Sequence, residues 1–144
     1  LSAELDPQRV QTYTDASYVL CTRLGKVTEA EQFLREGMRN NPDNAEIHYE
    51  LGRVYAEHKH EPERARVLWE RALDLWKKHE AGQPEPDLIL FDKITTHLAA
   101  LEDAAGNYAR AIELFEMAQQ GSPHPEELRS RIEEIRKKMV SPAK

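Results

Sequence analysis

Residues 45–76 read AEIHYELGRVYAEHKHEPERARVLWERALDLW, and this stretch decides the fold. Two apolar stripes with helical spacing flank a polar turn. Ile47, Leu51, Val54 and Tyr55 recur at three- and four-residue steps. So do Ala65, Leu68, Trp69, Ala72, Leu73, Leu75 and Trp76. Asn44 stands where an N-cap belongs, and Pro62 suits a first helical turn, whose N–H groups have no partner within the helix. Between the stripes lies His58-Lys59-His60-Glu61. The stretch therefore reads as two antiparallel helices joined by a short turn, and the rest of the chain reads as copies of this unit, joints between copies and a cap.

Upstream, Asp6-Pro7 reads as N-cap and first residue of a helix over 8–23, with Val10, Tyr13, Ser17, Leu20, Cys21 and Leu24 as its stripe. Gly25 ends it, as a residue that tolerates positive φ. Thr28 and Glu31 have the spacing of a capping box for a second helix. Ala30, Phe33, Leu34, Gly37 and Met38 form its stripe, and Asn40-Asn41-Pro42 stops it. Downstream, residues 80–86 (EAGQPEP) read as a loop. Asp87 caps a fifth helix with Leu88, Phe91, Ile94, Leu98 and Leu101 as its predicted face, and Gly106 closes it. Asn107 opens a sixth helix carrying Ala111, Ile112, Leu114, Phe115 and Ala118, which Gly121-Ser122-Pro123 ends. A seventh covers 125–139, with Leu128, Ile132, Ile135 and Met139 on one side. Its acidic start and basic end match the helix dipole. No segment alternates as a strand would.

Composition narrows the function classes. The chain has 144 residues and a net charge of −6, a poor match to a phosphate backbone, so nucleic acid is not the expected partner. No apolar run approaches the roughly 18 residues of a membrane helix. The opening LSAELDP lacks the pattern of a signal peptide and an initiator Met, so a piece of a larger protein is expected and the compartment stays open. Cys21 is the single cysteine and reads as a small buried apolar residue.

Helices two, four and six share one spacing: Ala30–Leu34–Gly37, Ala65–Trp69–Ala72 and Ala111–Phe115–Ala118. Gly25 and Gly106 each precede the first small residue by five, and Pro42 and Pro123 each follow the last by five. With Leu51-Gly52-x2-Tyr55 and Ala65-x3-Trp69, this regularity resembles the tetratricopeptide repeat (TPR). The resemblance runs over residues 11–123. Small side chains let paired helices approach, large ones fill the groove between neighbours, and the last pair needs a polar-backed cap. The expected fold is an all-α, right-handed superhelical solenoid of about seven helices. A single domain over 1–144 is expected: repeat one at 8–42, repeat two at 44–79, an insert at 80–86, repeat three at 87–122 and a capping helix at 124–139.

Three departures stand out. His48 takes the place of the pattern's Trp. Tyr18 falls where copy one should be small. The copies are spaced by 35 (30 to 65) and 46 (65 to 111) residues rather than about 34. The first excess is placed in the turn at 58–61. The second is placed between Trp76 and Leu90, where the fourth helix overruns into the proline-rich loop. Trp76 is expected to pack under that loop.

The resemblance implies a non-catalytic module that binds a peptide or protein partner in a concave groove lined by the first helix of each pair. The implied groove positions are Thr12, Asp15, Val19, Thr22 and Arg23, then Glu46, Tyr49, Glu50, Arg53 and Glu57, then Lys93, Thr96, His97, Ala100 and Asp103. Acidic residues outnumber basic ones there, so a basic segment is the favoured ligand. Family members that clamp a C-terminal carboxylate use Lys, Asn and Arg at positions held here by Asp15, Val19, Glu50, Lys93 and His97. Only Lys93 matches, and that role is not expected. No metal or cofactor is implied: His58-x-His60 with Glu57 and Glu61 has no distant ligand at suitable spacing and reads as a polar turn. His97 and His124 read as surface residues, and no Ser/His/Asp set or phosphate loop has usable spacing. The alternative function is a structural spacer or self-association domain in a larger assembly.

Overall fold

The computed structural model describes residues 7–140. Among these, seven α-helices and no strand occur. They are α1 (Pro7–Thr22), α2 (Val27–Asn40), α3 (Ala45–Arg53), α4 (Pro62–His79), α5 (Leu88–Ala104), α6 (Tyr108–Gln119) and α7 (Pro125–Val140), and α3 runs on into a π-helical turn over Val54–His58. The chain divides into two compact units between Gly82 and Gln83, inside the predicted insert. The first holds α1 to α4, with α1 packed on α2 and α3 on α4; the second holds α5 to α7, with α6 packed on both others. The expected Asp6 cap and the tail at 141–144 lie outside the described residues.

The small–large–small spacing works as expected. Ala30, Ala65 and Ala111 are fully buried, as are Leu34 and Phe115 to within 1%. The closest approaches fall at glycines. A β-carbon on Gly37 would lie 2.8 Å from Cγ of Tyr13, and one on Gly52 would lie 2.5 Å from Cδ1 of Trp69. The Trp69 indole N–H donates to the Tyr49 carbonyl at 3.0 Å, which satisfies the one polar atom of a buried ring.

Local end signals hold in part. Asn44 accepts from the Ile47 N–H and Asp87 from the Leu90 N–H, each at 3.0 Å. The capping box at Thr28 does not form. The N-cap of α2 is Lys26, with no side-chain cap bond, and Glu31 turns away to partners on the next helix pair.

The first helices of the pairs end on a left-handed residue: Gly25 at φ 65°, His60 at 55° and Gly106 at 83°. His60 is thus the middle-copy equivalent of the two glycines. Matching hydrogen bonds wrap the first two ends. Leu24 N–H bonds Val19 O and Lys26 N–H bonds Leu20 O; 35 residues on, Lys59 N–H bonds Val54 O and Glu61 N–H bonds Tyr55 O. At Gly106 the tighter Schellman pair forms, Asn107 N–H to Glu102 O and Gly106 N–H to Asp103 O.

This corrects the register of copy one. Counting back eight from the left-handed residue gives Gly52 in copy two (60 to 52) and Ser17 in copy one (25 to 17). Ser17 is buried at 4% exposure, whereas Tyr18 is 56% exposed. Copy one therefore does carry a small residue at the close approach. The extra residue sits in the widened helix end of both copies, not in the turn after α3. In copy three the same count is seven (106 to 99), and Ala99 is fully buried.

The predicted face of α5 shifts. On α5 the buried residues are Leu90, Ile94, Thr95, Leu98, Ala99 and Glu102. Leu88 is 47% exposed, and Phe91 and Leu101 are half-buried. Leu24 of the first stripe and Met139 of the last are exposed at 57% and 50%. Leu24 lies past the end of α1, and Met139 lies in the last turn of α7. The fourth helix does overrun, to His79, and Trp76 near its end is buried.

Candidate functional site

A hollow opens between the exposed sides of α1 and α3 in the first unit. Ser17, Tyr18, Cys21 and Thr22 line it from α1; Glu50, Arg53, Val54, Glu57 and His58 line it from α3 and the π-helical turn. Helical spacing presents these side chains together: Tyr18 and Thr22 are one turn apart, as are Glu50, Arg53 and Glu57. The π-helical turn rotates Glu57 and His58 relative to an unbroken α-helix, so both reach the hollow.

Arg53 is the organising charge. Its Nε donates to Glu57 Oε2 at 3.0 Å and its Nη2 to Oε1 at 3.1 Å, a bidentate fork, while Nη1 lies 3.6 Å from Glu50 Oε1. The Glu57 fork dominates in raising the Arg53 pKa above its ordinary value, against partial burial. With two carboxylates to one guanidinium, the hollow carries net negative charge. Burial pushes the Cys21 thiol upward, with Arg53 opposing, so it stays a neutral wall rather than a nucleophile.

The predicted groove residues separate into four groups. Glu50, Arg53 and Glu57 meet in the hollow, with Thr22 opposite. Asp15 and Val19 on α1 and Arg23 just after it are exposed but do not line it; Asp15 accepts from Gln11 Nε2 at 2.8 Å. Glu46 is half-buried, and Tyr49 is buried at 1% exposure with its ring stacked against Trp69 at 6.3 Å. Tyr49 is therefore a core residue. In the second unit, Lys93 and Ala100 are exposed and Thr96 and His97 half-buried on one side of α5. Thr96 donates to Asp92 O at 2.7 Å, the His97 ring bonds Lys93 O at 2.7 Å, and Asp103 pairs with Lys138 at 2.9 Å.

Tyr18 is the residue the sequence reading missed. The signal that finds it is His60: once that residue is matched to Gly25, Tyr18 falls level with Arg53. Among the described residues no helix is long and apolar enough to cross a membrane.

No family model matches the sequence, and no curated protein matches it. Solved structures do match. The first TPR of Spaghetti (RPAP3), bound to the HSP90 peptide SRMEEVD, superposes with a TM-score of 0.73 at 17% identity, covering 96% of this chain and 98% of that one. TTC0263, a thermophilic TPR protein of Thermus thermophilus, gives 0.66 at 24% identity; the match covers 90% of this chain and 65% of that chain. The MamA protein gives 0.57 at 20% identity over 94% and 72%. At these identities the likeness is one of fold.

Proposed function

We propose that this chain, whose fold is that of the tetratricopeptide repeat, is a non-catalytic protein-interaction module that holds a basic segment of a partner against α1 and α3. The observation that carries the reading is the hollow itself, where an exposed Tyr18 shares the lining with two carboxylates paired to Arg53. The hollow itself has a volume of only about 20 Å³, so a lysine or arginine lies across its mouth, where it gains a carboxylate partner and an aromatic neighbour together. Lys93, Thr96, His97 and Ala100 on α5 are the second unit's own contact positions in this reading. The acidic peptide bound by the RPAP3 domain is a poor guide to this ligand. Glu50 would repel it, and neither Tyr18 nor Thr22 offers a cation.

The test is binding of fluorescent basic and acidic peptides of equal length. Basic peptides should bind more tightly, and Glu50→Lys with Glu57→Lys should weaken them by about tenfold without altering the circular dichroism spectrum. Equal binding of both peptide classes, or no loss in the double variant, rejects this ligand. Self-association is the second reading, favoured by the exposure of Leu88 and Ile89 at the start of α5, 47% and 73%. Concentration-dependent sizing of wild type and Ile89→Glu separates it from the first.

A further inference from the structure

The first unit carries another hollow, on its α2 and α4 side, with opposite chemistry. Leu51, Tyr55, Val67 and Leu68 form its floor and walls, and Arg35 and Arg64 stand at its rim. Val67 is 69% exposed in the middle of α4, where a surface helix ordinarily shows polar side chains. The remaining rim residue, Glu63, is already paired with Arg66.

The cations are positioned rather than loose. The Arg35 and Arg64 guanidinium carbons lie 5.7 and 5.3 Å from the Tyr55 ring centre, and Lys59 Nζ lies 5.7 Å from it. Arg35 donates through Nε to Glu31 at 3.3 Å and through Nη2 to the Tyr55 hydroxyl. Arg64 places its Nε 3.3 Å from Glu61. A guanidinium carries five N–H donors, so each fork retains capacity for an incoming carboxylate. Arg64 is the more accessible, with 58% of its side chain exposed.

From this juxtaposition we infer that the α2–α4 hollow is a second docking site, for a protein segment that presents one large apolar side chain flanked by carboxylates. The apolar side chain covers Val67, Leu68 and Leu51, and the flanking carboxylates take Arg64 and Arg35. Charge complementarity selects this occupant: with their ion-pair partners counted, Arg35, Lys59, Arg64 and Arg66 stand against Glu31, Glu61 and Glu63, a local positive excess on a chain whose net charge is −6. The two hollows of the first unit thus select opposite ligands. One apolar anchor with two surface ion pairs corresponds to a dissociation constant on the order of 1 mM, a range in which methyl chemical shifts report binding site by site.

The experiment titrates the whole methyl-labelled chain with acetyl-Glu-Glu-Trp-Glu-Glu-amide, and separately with the same peptide carrying Lys for every Glu. The acidic peptide should move the methyls of Leu51, Val67 and Leu68. Arg64→Glu should weaken that binding at least tenfold while the rest of the spectrum is retained, and Val67→Glu should abolish it. Three results overturn the inference: no movement of these methyls at millimolar acidic peptide, equal movement with the lysine peptide, or undiminished binding in Arg64→Glu.

Discussion

Gly52 and Trp69 meet with no room between them, since a β-carbon on Gly52 would lie 2.5 Å from Cδ1 of the indole and nearer still to Nε1. The ring cannot retreat freely, because its N–H is held by the Tyr49 carbonyl at 3.0 Å. Gly52→Ala adds one methyl in a helix where alanine is intrinsically favoured, yet overpacking outweighs propensity. The variant should be less stable by about 1–3 kcal/mol, read as a lower urea midpoint. Unchanged stability would mean that α3 and α4 can separate without cost.

The left-handed residues permit a prediction of the opposite sign. His60 holds φ 55° where copies one and three use glycine, and a β-carbon in that region costs about 1–2 kcal/mol. His60→Gly should therefore raise stability by about 1 kcal/mol, offset in part by the extra freedom of glycine in the unfolded chain. Gly25→Ala should lower it by a similar amount, since nothing lies within 4 Å of the added carbon and only the backbone conformation resists. Thermal melts of the two variants should move in opposite directions.

Glu31 makes acid stability depend on one carboxylate. Partial burial opposes its ionisation, but bonds from Lys59 at 2.7 Å, from the Tyr55 hydroxyl and from Arg35 outweigh that and lower its pKa from 4.5 to about 2. The folded-state value lies below the unfolded one. Its stabilisation is therefore complete above about pH 5 and is lost as pH falls from 4.5 towards 2. Glu31→Gln should cost about 1–2 kcal/mol at pH 7, with solvent screening allowed for, and almost nothing near pH 2. Parallel urea titrations at the two pH values measure the difference.

His48 works in a higher pH window. It is buried at 6% exposure, and its Nδ1 bonds the Asn44 carbonyl at 2.8 Å. Burial lowers its pKa below 6.5, the Asn44 bond and Asp43 oppose, and Arg71 adds to the fall. The unfolded chain takes up the proton first, so stability is lost as pH drops through 6.5. Wild type should lose stability between pH 7 and 5.5 from this group, read as a falling urea midpoint, and His48→Leu should remove that slope.

Much of the fold was legible because its decisive signals are local. Small side chains five residues after a helix stop, a large residue four further on, and Asn44 or Asp87 ahead of an apolar stripe each act within a turn or two of helix. They determined an all-helical chain of repeated pairs and where most helices begin and end. Tertiary structure alone decided which edge of a stripe is covered. On α5, residues 88, 91, 94, 98 and 101 and residues 90, 94, 95, 98, 99 and 102 are both plausible faces sharing Ile94 and Leu98, and the neighbouring helices bury the second. It also decided the use of Glu31, whose partners lie 24 and 28 residues away, and the register of copy one, hidden because His60 does not look like a glycine. Successive side chains on a helix stand about 100° apart, so a one-residue widening at a helix end moves Tyr18 instead of Val19 level with Arg53. Sequence spacing fixes which residues share a helix face, but only packing against a second helix fixes which face is inside.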